Sequence, residues 1–561
     1  EMVRWASIPY SVNESKEHGD LAAEVARKSV VLLKNEGGLL PLKRDLKTIA
    51  VIGPNADSRD VLLGNYNGEP AHAVTPLQGI RNKVGPQSQV LYARGADLAP
   101  GIPTFEAVPA SALYRSATGP ARGLAAQYFG TANFNGRAYI GSAFVSEAMR
   151  KRAHVPVNPQ PVFTRTDPQV DFDWNDGAPP SGINDDDFGV RWDGYLEAPV
   201  SGKYELGAIG MTAFELYLDG KRIVETDNVH ERQYRYDTVE LHAGKRYAIR
   251  LDFHETIGDA NIQLVWAPPR ASDEPAALDA ARRADVVLMF LGLSPRLEGE
   301  EMKVEVEGFR GGDRVKLGIP RVQEELLQRV TALGKPVVLV LLNGSAVAVN
   351  WAREHVPAIV ELWYPGQAGG TALADVLFGD YNPAGRLPVT FYQSETQLPP
   401  FEDYDMKGRT YRYFEGEPLF PFGYGLSYTT FTYRDLRVPQ EVAAGRSLKV
   451  SVEVENTGAR AGEEVVQLYV THAGVAGAPI RSLEGFRRIA LAPREKKTVE
   501  FTLAPRQLAR VRAGQGWVVE PGTLRIAAGG KQPGFTGPLD AATTGVVTGE
   551  VQVTGPAAPV N

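Results

Sequence analysis

Short, continuous apolar runs that alternate with helical periods constrain this chain more than any other feature of it. A helix is expected over 19–35, where good helix formers separate Leu21, Val25, Val30 and Leu33, and the strand Thr48-Ile-Ala-Val-Ile-Gly53 follows. The alternation resumes far downstream, with helices expected over 277–283, 321–333 and 367–378 and strands over 285–291, 336–342 and 358–364. Strands that are apolar on both faces belong to a largely parallel sheet covered by helices. An α/β domain is therefore expected, built from two segments distant in sequence.

Between these segments, from about Gly123 to Pro268, the helical period disappears. Short alternating strands replace it, among them Val190–Leu196, Gly202–Ala208, Ala213–Leu218 and Tyr247–Phe253, with turns at Asp219-Gly220 and Ala243-Gly244. This pattern reads as an all-β sandwich inserted into the α/β domain. A second all-β block runs from about Ser427 to Val553, with strands at 447–454, 464–469 and 498–503 and a turn at Asn456-Thr-Gly458. The Pro-, Gly- and Ala-rich tail after Pro538 is expected to be loosely ordered in part. Size alone requires several domains, because 561 residues exceed what one core supports.

Composition excludes several functions. With 60 Lys and Arg against 67 Asp and Glu, the formal charge is −7, whereas a nucleic-acid partner calls for a basic face. No apolar run approaches the roughly 20 residues that cross a bilayer, so no membrane partner is expected. A chain without cysteine has no disulfide, thiolate nucleophile or Cys-ligated zinc. The 8 His lack the i, i+4 spacing of a metal helix, and Asp185-Asp-Asp187 lacks the spacing of a dedicated calcium cage, so no metal is expected. Gly53 and Gly64 form no GxGxxG fingerprint; no nucleotide or other cofactor is expected. The chain opens on Glu-Met-Val-Arg-Trp, with no signal peptide visible, an absence that means little if the chain starts inside a gene product.

Chemistry concentrates in Gly292–Pro320, GLSPRLEGEEMKVEVEGFRGGDRVKLGIP, which follows the apolar run ending at Leu291 and precedes the helix beginning near Arg321. Five Glu and an Asp-Arg pair on one loop after a core strand suit a site that moves protons to or from an oxygen. A solvated acidic loop is the alternative reading of the same residues. Trp363, Tyr364 and the Tyr411–Phe414 cluster have the shape to stack on a ligand, but core packing is the default for aromatics beside a strand.

Dispersed blocks carry a family resemblance. In the first segment they are Glu17-His18, Ala26-Arg-Lys-Ser-Val-Val-Leu-Leu-Lys-Asn35, Leu39-Leu-Pro-Leu42, Ile52-Gly-Pro-Asn55, Leu63-Gly-Asn-Tyr66 and Thr75-Pro-Leu77. Further on come Asp313-Arg314, Gln323-Glu-Glu-Leu-Leu327, Trp363-Tyr-Pro-Gly-Gln367, Gly385-Arg-Leu-Pro-Val-Thr390 and Phe420-Pro-Phe-Gly-Tyr-Gly-Leu-Ser427. Together they resemble the C-terminal two-thirds of a glycoside hydrolase family 3 enzyme, the family of β-glucosidases and β-xylosidases. The inserted sandwich is similar to the anthrax protective-antigen-like carbohydrate-associated domain, most clearly in Phe188–Leu196, and the last block resembles the fibronectin type III-like domain of many members. The implied chain is multidomain α/β plus all-β. Residues 1–18 end a barrel or linker, 19–120 and 271–426 form an α/β sandwich domain, 121–270 an inserted β-sandwich, and 427–561 a fibronectin type III-like β-sandwich.

In that family a (β/α)8 barrel carries the Asp nucleophile and the sugar pocket, and no such pattern precedes Glu17. Asp173-Trp174 mimics part of the nucleophile motif but is expected on a surface turn of the inserted sandwich, so no nucleophile is assigned to this chain. The expectation is half of a split or nicked enzyme, with a barrel-domain chain as partner and this chain alone inactive. The family's acid/base Glu sits on a loop of the second domain, with Asp-Arg some residues behind it. Matched residue by residue, Glu298-Gly-Glu-Glu301 falls at that position. Glu300, which follows a small residue, is taken as the acid/base, with Glu298 as runner-up and Glu301 third; the insertion Met302–Arg310 leaves the register open by a residue or two. Asp313 and Arg314 are read as structural support, an Asp–Arg bond fixing the base of the loop and aiming the acid.

The implied function is a retaining, exo-acting β-glucosidase that releases terminal non-reducing β-D-glucose from oligosaccharides or aryl glycosides. A barrel Asp attacks the anomeric carbon while Glu300 protonates the departing oxygen. A β-xylosidase of the same family, or a non-catalytic carbohydrate-binding remnant, are the alternatives. The inserted sandwich is expected to limit substrate length. A periplasmic or secreted location is expected, and a homodimer stays open.

Overall fold

The structure, a computed structural model, describes residues 5, 7–68, 70–136, 159–175, 177–179, 182–226, 232–269, 272–300, 302 and 304–560. The chain divides into two compact units, Glu1–Ile102 with Ser272–Asn561, and Pro103–Ala271.

Six strands of the first unit form one sheet: β1 (Val31–Asn35), β2 (Thr48–Ile52), β3 (Gln89–Ala93), β4 (Val286–Gly292), β5 (Val337–Leu342) and β6 (Ala358–Glu361). Their order is β1-β6-β5-β4-β2-β3, parallel throughout except for the antiparallel β1–β6 pair. The apolar runs are continuous because both faces are covered. Ala50, Ile52, Val287, Met289, Leu339 and Leu341 enter one core, with side chains of α3 (Glu274–Arg283) and α4 (Arg321–Thr331). Ile49, Val51, Val286, Leu288, Val338 and Val340 enter the other, with side chains of α2 (Pro76–Lys83) and α5 (Gly369–Leu377). Thr75 caps α2 by accepting the Gln78 N–H at 3.2 Å, and Pro76 occupies the first helical position.

The helix expected over 19–35 is shorter and starts earlier. The helix α1 covers Lys16–Ser29, with Ser15 accepting the His18 N–H at 3.3 Å, and the chain then enters β1. Leu21 and Val25, read as its buried stripe, are 56% and 58% exposed. Val30, Val31, Leu32 and Leu33 are all buried, and four consecutive buried residues cannot share one helical face. A strand covered on both sides takes Val31, Leu32 and Leu33, while Val30 forms the C-cap of α1. The strand expected over 358–364 also stops early, at Glu361, because Trp363 adopts a left-handed φ of 63°.

Among the described residues the second unit is built mainly of antiparallel strands. One sheet orders Gln233–Leu241, Gly202–Gly210, Ala260–Ala267 and Glu106–Ala107, with Asp171–Asn175 also on Ala260–Ala267. The other orders Lys221–Glu225, Ala213–Leu218, Arg246–Glu255, Phe188–Glu197, Leu124–Phe129 and Phe163–Asp167. Trp192, Tyr204, Phe214 and Phe253 fill the core between them. Asp173 lies within a strand opposite Asn261, not on the expected surface turn, and Trp174 stacks on Phe172 at 5.0 Å. Asp186 and Asp187 tie loops together, accepting the N–H groups of Gly258 and Ala132, each at 2.8 Å.

The C-terminal block of the first unit is a β-sandwich of a three-stranded and a five-stranded sheet. It is clamped to the α/β part by Arg386, whose Nη2 meets buried Glu464 at 2.7 Å; Tyr433 and Thr544 also donate to Glu464, at 2.8 and 2.6 Å. The tail expected to be loose is largely paired: Val546–Thr554 lies between Gly522–Gly529 and Glu441–Ala443. Its alternating valines supply an inward face that composition alone concealed.

Candidate active site

Strand β4 ends at Gly292, whose φ of 134° no side chain tolerates easily and where a Cβ would stand 2.2 Å from the Leu342 carbonyl oxygen. The buried Gln323 side chain on α4 fixes that end, accepting the Gly292 N–H at 2.8 Å and donating to its carbonyl at 3.0 Å. The chain then turns on the Ser294 carbonyl, which receives the N–H groups of Leu297 and Glu298. Leu293 and Leu297 are fully buried, so the acidic segment is anchored in the core at its root.

The stretch read as an inserted loop is a small antiparallel meander of Glu305–Val306, Phe309–Arg310 and Asp313–Arg314. Gly311 and Gly312, at φ 61° and 88°, make the second of its two-residue turns. That Gly-Gly pair was the sequence signal for a hairpin. Val304 and Phe309 bury the meander's apolar side, while backbone bonds from Gly299 N–H to Gly312 and from Met302 N–H to Gly311 dock it on the acidic segment.

The two described carboxylates of that segment face opposite environments. Glu298 turns inward: Oε1 accepts the Tyr364 hydroxyl at 2.7 Å and the Gly344 N–H at 3.2 Å, and Oε2 accepts the Ser345 hydroxyl at 3.2 Å. Burial, reinforced by the Glu298 charge, raises the Tyr364 phenol well above its ordinary range. Glu300 is exposed and accepts a hydrogen bond from the Tyr66 hydroxyl. Glu301 lies outside the described residues.

Arg314 sits at the base of the loop, as the sequence suggested, but not through Asp313. Its guanidinium donates to the Ser345 hydroxyl at 2.8 Å and to the Ala346 and Leu317 carbonyls at 2.6 and 2.7 Å. Asp313 is exposed and pairs across the hairpin with Arg310. The expected Asp313–Arg314 bond fails because successive strand residues point to opposite faces. Burial pulls the Arg314 guanidinium below its ordinary range, and the charge of Glu298 opposes the shift.

Beneath this layer lies a carboxyl that sequence reasoning passed over. Glu361, at the end of β6, is wholly buried and pushed up to about 8 by that burial. It accepts the Trp363 N–H at 3.0 Å and the Asn343 amide at 3.2 Å. A lone Glu inside the run Ala358-Ile-Val-Glu-Leu was its signal. Trp363 packs on the core, with Phe391 at 6.0 Å, and half-buried Tyr411 stacks on Phe422 at 4.0 Å.

In the second unit, ligand atoms of buried Glu215, Asp252 and His254 lie within 4.8 Å of one another. Their lone pairs are already engaged: Arg191 holds both Asp252 oxygens at 2.7 Å, and Arg222 reaches Glu215 at 3.1 Å. Asn135 faces both Glu215 and His254, at 3.0 and 3.2 Å. These residues fit a charge-paired network, not a cation cage.

Comparison with known proteins assigns this architecture. The glycosyl hydrolase family 3 C-terminal domain matches residues 30–428, most of the chain. The chain belongs to glycosyl hydrolase family 3. A fibronectin type III-like domain matches residues 464–532, in agreement with the α/β domain and closing β-sandwich described above. A xylan 1,4-beta-xylosidase of Xylanibacter ruminicola is 36% identical, over 94% of this chain and 57% of that protein. A periplasmic beta-glucosidase of Salmonella typhimurium is 30% identical, over 93% of this chain and 50% of that protein. The solved beta-glucosidase of Kluyveromyces marxianus in complex with glucose superposes with a TM-score of 0.67 at 26% identity, over 97% of this chain and 63% of that one. The family 3 chain described here thus spans about half the length of the curated relatives it matches.

Proposed function

We propose that this chain supplies the acid/base side of a retaining β-glycoside hydrolase, with Glu300 as the proton donor and a nucleophilic Asp outside these 561 residues. The observation that carries the reading is the contrast between Glu298, bonded inward at both oxygens, and Glu300, exposed on the same segment. Glu300 hands its proton to the departing glycosidic oxygen as the anomeric carbon is attacked, then takes one from the incoming water. Retention sets the two carboxyls ~5–5.5 Å apart, which is the distance the barrel-domain partner has to provide. Arg314 acts as support for the loop, through Ser345, Ala346 and Leu317.

For the released sugar we favour xylose at a non-reducing end, because relatives 36% and 41% identical are named as β-xylosidases. Glucose, the expectation from sequence, is the second reading, carried by relatives and solved structures named as beta-glucosidases. The rate ratio on aryl β-xyloside and aryl β-glucoside decides between them. A periplasmic or secreted location accompanies this reading, on the periplasmic relative. The protective-antigen-like character of residues 121–270 is part of the same proposal.

The test is Glu300→Gln in the complete enzyme. A large loss of kcat/KM on a disaccharide, of ~10²–10⁴-fold, with little loss on a dinitrophenyl glycoside whose leaving group needs no proton, is the expected result. Unchanged disaccharide hydrolysis removes the assignment of Glu300 and moves the role to its neighbours Glu298 or Glu301, or out of this loop altogether.

A further inference from the structure

The side chain that touches Glu300 belongs to a segment some 230 residues away in sequence, and its course is tightly specified. After the single helical turn Asp60–Leu63, Gly64 takes a left-handed φ of 72° and runs against Tyr364, where a Cβ would stand 3.3 Å from the ring. Asn65 then donates from Nδ2 to the Glu298 carbonyl at 2.8 Å. Gly299 leaves the room for this bond, since a Cβ there would stand 2.6 Å from the same nitrogen. Tyr66 follows with a left-handed φ of 56°, an uncommon conformation for a bulky aromatic residue that its surroundings must impose. Its side chain is 86% exposed, yet its hydroxyl reaches back to Glu300 Oε2.

An aromatic ring left in solvent contributes little to a core. A strained backbone, a clamped neighbour and a hydroxyl aimed at one carboxylate oxygen together serve orientation. We propose that Tyr66 is a positioning residue for the acid/base, an inference that rests on the assignment of that role to Glu300. The Tyr66 hydroxyl holds Oε2, so that Oε1 presents the transferred proton to the leaving oxygen; the phenol keeps its own proton throughout. Asn65 and Gly299 set the distance between the two segments, so the hydroxyl meets the carboxyl without a search through side-chain rotamers.

The experiment uses the complete enzyme and the variants Tyr66→Phe and Glu300→Gln, with kcat/KM measured on an unactivated disaccharide and on the matching 2,4-dinitrophenyl glycoside. Both ratios report the first chemical step, and only the disaccharide needs a proton there. For Tyr66→Phe a loss of about tenfold on the disaccharide, with the dinitrophenyl substrate within about twofold, is the expected result, the size of one lost hydrogen bond at a reacting group. A purely structural role lowers both values together, and that outcome overturns the proposal, as does no change in either. Glu300→Gln separates the two levels: if it spares the disaccharide, the acid assignment falls and the inference with it. If it abolishes disaccharide hydrolysis while Tyr66→Phe changes nothing, only the role of Tyr66 falls. Should Tyr66→Phe misfold by circular dichroism, Asn65→Ala, which frees the segment while keeping the phenol, is expected to give the same unequal loss, and an equal loss refutes the proposal.

Discussion

Glu361 makes the stability of this chain depend on pH in a direction opposite to that of an ordinary carboxylate. Its carboxyl is fully buried, and burial raises it to about 8 against the offsetting Trp363 N–H and Asn343 amide. In the unfolded chain a Glu titrates near ~4.3. Between those values the folded state keeps a proton that the unfolded state has released. Stability is therefore full below the unfolded value and falls as pH rises through the folded one, by ~1.4 kcal/mol per unit. From ~4.3 to about 8 the loss sums to ~5 kcal/mol for this single group, comparable with the whole stability of many domains. Glu361→Gln keeps the shape and the acceptor for Trp363 N–H but has nothing to titrate. Its measurement is denaturant unfolding of wild type and variant at intervals from pH 5 to 9, taking the difference at each pH. Differencing matters because Glu255 in the second unit, also raised by burial to about 8, adds a slope of the same sign to both proteins. The expected difference shifts toward the variant as pH rises, by ~4 kcal/mol between pH 5 and 8, and then levels. A flat difference would refute the argument, since it would mean that Glu361 is hydrated or ionised in the folded state at neutral pH. Because Glu361 also holds the left-handed turn at Trp363, and Tyr364 beyond it holds Glu298, alkaline loosening should reach the acidic loop before the chain unfolds.

Two further outcomes follow from local geometry. Arg386→Met leaves the buried Glu464 carboxylate without its cation and should cost ~3–5 kcal/mol in denaturant unfolding, with part recovered by adding Glu464→Gln; no loss would show that Tyr433 and Thr544 suffice. Gly299→Ala places a methyl 2.6 Å from Asn65 Nδ2 and 2.7 Å from Met302 Sδ, two flexible side-chain ends, and should cost ~0.5–1.5 kcal/mol in denaturant unfolding through loss of the Asn65 bond to the Glu298 carbonyl, with secondary structure intact by circular dichroism.

The sheet was legible wherever a strand is apolar on both faces, because no other element accommodates such a run at that length. Thr48–Ile52, Val286–Gly292 and Val337–Leu342 all lie within a residue or two of their expected limits. Failures arose where a local signal competes with a distant contact. The helical period around Leu21 and Val25 was real, but the run Val31–Leu33 was taken by the sheet, through antiparallel pairing with a strand more than three hundred residues away. The tail after Pro538 looked loose by composition, and pairing with Gly522–Gly529 fixed it. At the site, the cluster of Glu residues was visible and their facing was not. That facing depends on a turn over the Ser294 carbonyl and on a meander closed by Gly311 and Gly312, neither of which spacing reveals. Tyr66 was visible only as the last residue of the Leu63-Gly-Asn-Tyr66 block, and its hydrogen bond to Glu300 is a contact made across the fold that spacing does not reveal.

The division between Glu298 and Glu300 follows from hydrogen-bond capacity. On a regular strand two residues of the same type at i and i+2 would share a face and an environment. Here the chain is turning at Leu297 and Glu298, so one carboxylate rotates under Gly344 and Ser345 while the other stays in solvent. Glu298 accepts three bonds from Tyr364, Gly344 and Ser345, and turning it toward a substrate would break the contacts that hold the loop. Glu300 has no comparable set of donors to lose and an oxygen turned toward solvent. Proton transfer requires an oxygen that a substrate can approach within hydrogen-bond distance, and of these two carboxylates Glu300 is the more exposed, which is the basis of the role proposed for it.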